Sequence, residues 1–248
     1  MNTAIILAGE VGNRLGAGIP KQFIKILGKP VLAYTIEVFQ EHEEIDAVEV
    51  VCHKEWKDYL QEMVDEYGLD KVRWVADGGS SFQESVMNGV YYLEDKIQPD
   101  DIVLVHFGAS PFLTEDLITD AIRVCKDKGN AIATTDFLLL SAIKKHTGSV
   151  MEPDNYTDQY IDRESIAVMN SPHAFRYEFI LNLYKDAVRT GAIYEVEPHT
   201  TTLMQKMGKP IYFSKGSQLN IKITRKEDLD LFEGYVLMKQ KHANQRST

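Results

Sequence analysis

Residues 4–16 read AIILAGEVGNRLG, and this stretch decides the fold class of the chain. The apolar run from Ala4 to Ala8 predicts a short buried strand, and Gly9, Gly12 and Gly16 predict a turn directly after it. Glycine lets the backbone turn sharply and approach a ligand closely. Successive backbone N–H groups in such a turn can surround phosphate oxygens. The stretch therefore predicts a phosphate-binding loop at the end of the first strand of an α/β sheet.

Two cations reinforce this interpretation of the loop. Arg14 offers a planar, permanently charged fork for phosphate oxygens, and Lys21 offers a point charge a few residues later. Two common phosphate loops do not fit, because no Gly-Lys-Ser/Thr ends the stretch and because Gly9 is followed by Glu10 and Val11. The pattern therefore disfavours a P-loop ATPase and a dinucleotide-dependent dehydrogenase.

Apolar runs alternate with helical patterns along most of the chain. We predict further strands at 47–52, 73–76, 102–106, 131–135 and 210–214, helices at 31–40, 56–67, 82–93, 114–125, 177–188, 200–207 and 229–239, and a short extended piece at 195–197. Such alternation implies right-handed crossovers and a Rossmann-like, mainly parallel sheet flanked by helices. Residues 136–166 break the rhythm with Gly148, Pro153 and several charges, and we predict that they form a β-rich excursion, or arm, from a single domain spanning residues 1–248.

The composition narrows the class of partner. The chain has 248 residues and a net charge of −10, from 27 basic and 37 acidic side chains. Nucleic-acid-binding proteins usually carry a basic surplus, so a nucleic-acid partner is disfavoured. No apolar run approaches the ~20 residues that span a membrane, and we expect a cytoplasmic protein without a membrane partner. Cys52 and Cys125 lie in apolar or helical patterns and are expected to be buried thiols.

The glycine loop is the first of a series of motifs in fixed order. The others are Pro20-Lys21-Gln22-Phe23, Gly28-Lys29-Pro30-Val31-Leu32, Gly78-Gly79 with Glu84-Ser85-Val86 and Asn88-Gly89, Val105-His106 with Pro111-Phe112, Arg163-Glu164 with Ser171-Pro172, and Asn220-Ile221-Lys222-Ile223-Thr224. Together they resemble the methylerythritol-phosphate and ribitol-phosphate cytidylyltransferases over nearly the whole chain.

The resemblance implies a reaction in which a polyol or sugar phosphate attacks the α-phosphorus of CTP and pyrophosphate leaves. It implies catalytic roles for Arg14, Lys21 and Lys222 and nucleotide-binding roles for Leu7, Ala8, Gly9, Gly12, Gly79 and Ser85. Arg163 would hold the acceptor phosphate from the arm of a partner subunit, which implies a homodimer. The resemblance also implies Mg²⁺ as cofactor and CTP and a small phosphorylated polyol as substrates.

Several positions depart from the family pattern. Phe107 stands where the family has a metal-binding aspartate, and Gln218 stands where the family usually has an acidic residue. Phe82, Ser110, His173 and His199 also replace residues that in the family face the acceptor or the metal. The nucleotide side is mostly retained, so we expect a kept nucleotide site and an altered acceptor site. Glu10, at a loop position usually filled by glycine, is a candidate replacement carboxylate for the metal.

Two alternatives remain open at this point. A degenerate homologue would bind a nucleotide without efficient catalysis, and Phe107 and Gln218 favour it. A glycosyltransferase would carry an Asp-x-Asp motif at a strand end; Asp228-Leu229-Asp230 has the spacing but begins the last predicted helix. The sequence does not name the acceptor. It does not name the base either, because the small residues around it imply recognition through backbone atoms.

Overall fold

The computed structural model describes residues 1–10, 18–136 and 139–246 of the chain. Gly12 and Arg14, two of the predicted site residues, lie outside the described residues. The strands are β1 (Asn2–Ala8), β2 (Lys25–Ile26), β3 (Lys29–Pro30), β4 (Ala47–Cys52), β5 (Val72–Asp77), β6 (Ile102–Phe107), β7 (Asn130–Asp136), β8 (Ala167–Arg176) and β9 (Phe213–Lys215). The helices are α1 (Val31–Glu41), α2 (Lys57–Tyr67), α3 (Phe82–Tyr92), α4 (Glu115–Lys128), α5 (Tyr177–Thr190), α6 (Thr200–Lys206) and α7 (Lys226–Arg246).

Among the described residues, seven strands form one sheet in the order β5-β4-β1-β6-β8-β7-β9. β1, β4, β5 and β6 are parallel, whereas β8 runs antiparallel to both β6 and β7. Helices of 11 to 14 residues connect several of these strands. The expected mainly parallel, Rossmann-like sheet flanked by helices is therefore confirmed.

Apolar clusters cover both faces of the sheet. One contains Ile6, Val50 and Leu104 with side chains of α1, α2 and α4, and the other contains Ile5 and Val103 with side chains of α3, α5 and α6. This two-sided burial explains why the central strands read as continuous apolar runs. Cys52 and Cys125 are buried thiols, as predicted. No helix of the described residues is long and apolar enough to cross a membrane.

The strand β8 differs most from the sequence prediction, which assigned no element to Ala167–Arg176. Its sequence AVMNSPHAFR has no regular alternation and includes the cis peptide bond Ser171–Pro172. It becomes a strand because β6 and β7 each offer it a row of backbone partners, with Val105 paired to His173 and Ile132 to the same residue. The extended piece at 195–197 is also wrong, because a 3-10 turn, Ala192–Tyr194, precedes a loop there.

The excursion leaves the sheet after β7 and returns at β8. Strand structure is found at its base, where Thr135 pairs with Val168. Within the described residues 139–166, the regular element is the 3-10 turn Arg163–Ser165, so the expectation of a β-rich arm is wrong there. Most of its side chains are exposed, and isolated strands need a packed face to be stable.

Candidate active site

The site lies at the carboxyl end of β1. The chain order reverses around this strand, because β4 pairs with one side of β1 and β6 with the other. Open α/β sheets bind ligands in the crevice beyond such a reversal point. Leu7 pairs with Phe107, and the carbonyl of Leu7 accepts a hydrogen bond from the Gly108 N–H at 2.9 Å, so the ends of β1 and β6 stay closely coupled.

On one side of this crevice, two glycine backbones touch. A Cβ added to Gly9 would lie 3.1 Å from the Cα of Gly78, and a Cβ added to Gly78 would lie 3.0 Å from the Cα of Gly9. The Gly78 N–H donates to the carbonyl of Cys52, which fixes this contact over the end of β4. Gly78 is therefore a site residue in addition to the predicted Gly9 and Gly79, and its signal in the sequence is the Gly78-Gly79 pair.

The beginning of α3 completes this side. The Oγ of Ser85 accepts from the Gly79 N–H at 3.0 Å and donates to the carbonyl of Ser81 at 2.9 Å. The Oγ of Ser81 in turn caps the helix by accepting from the Glu84 N–H at 3.1 Å. Ser81 is thus the N-cap of α3. Ser85 also lies beside Gly9, 3.4 Å from the position of an added Cβ.

Lys21 reaches the site from a 3-10 turn, Lys21–Phe23. The side-chain amide of Gln22 donates to the carbonyls of Ala8 and Glu10, at 2.7 and 3.1 Å, and so fastens the turn to the end of β1. The ring of Phe23 also stacks on Trp56, directly before α2, and meets the ring of Tyr59 in α2 edge-on. The motif Pro20-Lys21-Gln22-Phe23 contains Gln22, but its sequence does not indicate this supporting role.

Lys222 reaches the same point from the other end of the chain. Its ammonium nitrogen lies 2.6 Å from Oε1 of Glu10 and 4.2 Å from the ring centroid of Phe107. The Ile223 N–H donates to the carbonyl of Ala109 at 2.8 Å, which holds the segment against the loop after β6. The structure therefore brings Lys21 and Lys222 together at Glu10.

Glu10 is the group that joins the two lysines. Its Oε2 lies 2.8 Å from the Lys21 ammonium, while Oε1 contacts Lys222. Partial burial pulls the pKa of Glu10 upward, but the two ammonium groups outweigh it and hold that pKa at about 2. Glu10 is therefore ionised at neutral pH.

The other side of the crevice, which adjoins the first at Phe82, the first residue of α3, is aromatic. The ring of Phe107 lies 5.1 Å from that of Phe82, and Phe82 lies 5.0 Å from His199. These three positions are among those that depart from the family pattern, and the structure places them in one row next to Lys222. His106, by contrast, is a buried structural histidine whose Nε2–H donates to the carbonyl of Ser110. Burial lowers the pKa of His106 to about 4, which keeps it neutral.

Arg163 lies elsewhere in the described part of the chain. It begins the 3-10 turn at the base of the arm, and its neighbours Glu164 and Ser165 line an open groove beside β7 and β9. Lys222, in contrast, lies over the end of β6, two strand positions away from β7.

A comparison with known protein families agrees with this geometry. A family model described as "IspD: 2-C-methyl-D-erythritol 4-phosphate cytidylyltransferase" matches residues 2–238. The chain belongs to this family. The resemblance inferred from the motifs is thereby confirmed, and the glycosyltransferase alternative is set aside.

The curated relatives of this chain include ribitol-5-phosphate cytidylyltransferases and 2-C-methyl-D-erythritol 4-phosphate cytidylyltransferases. A ribitol-5-phosphate cytidylyltransferase of Lacticaseibacillus paracasei is 39% identical, over 97% of this chain and 100% of the relative. A 2-C-methyl-D-erythritol 4-phosphate cytidylyltransferase of Clostridium novyi is 34% identical over 94% of this chain and 95% of the relative. A solved 4-diphosphocytidyl-2C-methyl-D-erythritol synthase from Anaerococcus prevotii superposes with a TM-score of 0.75 over 95% of this chain and 98% of that chain, at 22% identity, which supports the fold.

Proposed function

We propose that this protein transfers CMP from CTP to a polyol phosphate, with ribitol 5-phosphate as the first acceptor to test. The observation that carries the proposal is the convergence of Lys21 and Lys222 beside Gly9 at the end of β1. The 39% identity to a ribitol-5-phosphate cytidylyltransferase favours ribitol 5-phosphate over methylerythritol phosphate. Nothing in the comparisons favours the degenerate alternative.

In the proposed reaction, a phosphate oxygen of the acceptor attacks the α-phosphorus of CTP. The new P–O bond forms as the bond between the α-phosphorus and the bridging oxygen breaks, and pyrophosphate leaves with that electron pair. Negative charge grows on the leaving group and on the oxygens around the α-phosphorus. Fixed cations that meet this charge lower the barrier, and Lys21 and Lys222 are the described ammonium groups in position to do so.

Gly9, Gly78 and Gly79 would hold the nucleotide through backbone atoms. Their lack of side chains lets the loops after β1 and β5 approach each other, and it would let a base come close to the main chain. Arg14 would add a cation from the loop, and Arg163 would hold the acceptor phosphate. Because CTP is made in the cytoplasm, we place the reaction there.

Magnesium would enter with the triphosphate. Among the described residues, no three His, Cys, Asp or Glu side chains lie close enough together to hold a metal ion. Phe107 offers no oxygen ligand, and the Glu10 carboxylate is already paired with two lysines. Mg²⁺ commonly keeps several waters and binds through substrate phosphates and one or two carboxylates. We therefore assign no step to a metal held by the protein, and an unchanged magnesium dependence of turnover in Glu10→Gln would remove Glu10 as a ligand.

The arm supports a homodimer as part of the proposal. Large apolar side chains are highly exposed there, among them Leu140 at 89%, Met151 at 84% and Tyr160 at 88%. Covering such side chains with a second copy of the chain removes apolar surface from water and so lowers the free energy of the dimer. Light scattering of the wild type and of Leu140→Ser would test this: we expect a dimer that weakens in the variant, and a monomeric wild type would contradict it.

The activity is tested directly by turnover. The protein is incubated with CTP, magnesium and one of several acceptors: ribitol 5-phosphate, methylerythritol 4-phosphate or glycerol 3-phosphate. Pyrophosphate release and the mass of the nucleotide product are measured, with UTP, ATP and GTP as controls. We expect the highest kcat/KM with CTP and ribitol 5-phosphate. Absence of pyrophosphate with every acceptor would overturn the proposal.

A further inference from the structure

Glu10 holds both lysines on which the proposed reaction depends. Each carboxylate oxygen contacts one ammonium group, Oε1 with Lys222 and Oε2 with Lys21. Two adjacent phosphoryl groups would present oxygens to the same pair of cations. The carboxylate thus has the charge sign and the bridging geometry expected of the substrate's own phosphates.

Each of the three residues in this contact is held in place by its surroundings. The main chain of Glu10 is held by the side-chain amide of Gln22, which donates to its carbonyl at 3.1 Å. The stem of Lys21 is buried, with its side chain 11% exposed. Lys222 rests against the ring of Phe107, and its segment is fixed to the loop after β6. Since both lysines and the backbone of Glu10 are fixed, the ion pairs are part of the fold rather than a contact between mobile surface chains.

We propose that Glu10 is an intramolecular competitor of the nucleotide, which occupies the phosphate subsite on Lys21 and Lys222 until a polyphosphate displaces it. The proposal rests on the proposed function, because it takes these lysines as the triphosphate site. The Glu10 side chain is 44% exposed, so it can swing into solvent when its partners are taken. Every ligand that takes the two lysines must then first release the carboxylate.

The competition has a direct consequence for weak anions. Inorganic phosphate makes few contacts, so the loss of the two ion pairs leaves it little net affinity. A triphosphate makes many contacts and overcomes the same cost. Glu10 would in this way keep the site clear of small anions while it still admits CTP.

Binding of inorganic tripolyphosphate and pyrophosphate in metal-free buffer tests the competition. Calorimetry compares the wild type with Glu10→Gln, which keeps the shape of the side chain and removes its charge. Two partly exposed ion pairs predict a gain in affinity of about tenfold in Glu10→Gln. Glu10→Asp keeps the charge but is one methylene shorter, so it should bind with an affinity between those of the wild type and Glu10→Gln.

Glu37→Gln is the matched control. Glu37 of α1 pairs with the Lys29 ammonium at 2.6 Å, and Glu37→Gln removes one negative charge, as Glu10→Gln does. We expect wild-type affinity in this variant. An equal gain in Glu37→Gln would show a general charge effect, and equal or weaker binding in Glu10→Gln would show that Glu10 does not compete; either result overturns the proposal.

Turnover separates this inference from the proposed function. An active wild type whose Glu10→Gln variant binds tripolyphosphate no more tightly would refute the competition and leave the transferase intact. A wild type without CMP transfer, whose Glu10→Gln variant nevertheless binds tripolyphosphate more tightly, would retain the competition and refute the transferase.

Discussion

The two sides of the crevice are built on different principles. Gly9 and Gly78 pack main chain against main chain, where an added Cβ would lie only 3.0 to 3.1 Å from the facing Cα, and an added Cβ on Gly79 would lie 2.5 Å from Cγ of Glu84. Around Phe107, Phe82 and His199, the surface consists of side chains, with ring centroids 5.0 to 5.1 Å apart. Lys222 lies next to Phe107 and contacts Glu10 of the glycine loop, so it connects the two sides.

The difference indicates which side can change without loss of the fold. A backbone site tolerates little substitution, because its shape is set by strands β1, β4 and β5. A side-chain surface can exchange charged for aromatic residues while the strands below it stay in place. We therefore expect the glycine side to determine nucleotide binding and the aromatic row to determine which acceptor is accepted.

The largest effect should come from the residue that connects the two sides. Lys222→Met removes a cation that meets the charge developing around the α-phosphorus, and we expect kcat to fall by about a hundredfold to a thousandfold. Steady-state kinetics by pyrophosphate release measure this. The control is Lys126→Met, since Lys126 pairs with Glu44 at 2.9 Å outside the crevice. A higher KM for CTP with an unchanged kcat would show that Lys222 contributes to ground-state binding only.

Gly79→Ala should break the backbone side. The new Cβ would lie 2.5 Å from Cγ of Glu84 and 2.8 Å from its main-chain carbon, so the first turn of α3 must shift. We expect a loss of about 1–3 kcal/mol in the free energy of unfolding and weaker CTP binding, because Ser85 moves with the turn.

Denaturant unfolding and calorimetry measure these two effects. Gly234→Ala in α7 is the control, since an added Cβ there meets no described heavy atom within 4 Å. It should raise stability by about 0.5–1 kcal/mol. Equal stability of the two variants would contradict the close packing of Gly79.

The same contrast explains what could be predicted from the sequence. Continuous apolar runs such as Ile102–Val105 predict the buried parallel strands, because burial on both faces leaves a local signal. Glycines with Arg14 and Lys21 also form a local pattern, and the loop that it predicts stays a prediction at residues 11–17, which lie outside the described part of the chain. β8 left no such signal, because its pairing partners decide its conformation. The Glu10–Lys222 ion pair joins residues 212 positions apart, and no local pattern encodes such a contact.

A smaller effect is expected from Glu49, which lies in β4 under α3. Its carboxyl is fully buried, and an added Cβ on Gly89 would lie 3.3 Å from its Oε2. Burial raises the pKa of Glu49 well above its ordinary value, although Lys96 partly offsets this. The native state therefore keeps this proton to a higher pH than the unfolded state does, so Glu49 lowers the free energy of unfolding as pH rises above about 4.5.

Glu49→Gln should therefore be more stable than the wild type at pH 8, by on the order of 1 kcal/mol. The advantage should shrink below pH 4.5, where the unfolded state is protonated as well. Denaturant unfolding at several pH values measures the difference between the two proteins. A difference independent of pH would mean that Glu49 is ionised in the native state.

The smallest effect should come from the aromatic side. Phe107→Leu keeps an apolar side chain but removes the ring beneath the Lys222 ammonium, and a cation–π contact at a partly exposed site predicts about a threefold loss of kcat/KM. Tyr92→Leu is the matched control, because Lys96 lies 3.9 Å from the Tyr92 ring centroid on the outer surface of α3. Wild-type kcat/KM in Phe107→Leu, with its acceptor preference unchanged, would mean that the ring fills space and positions nothing. A changed ranking of acceptors at nearly constant CTP affinity would instead show that the side-chain surface selects the acceptor while the glycine backbone holds the nucleotide.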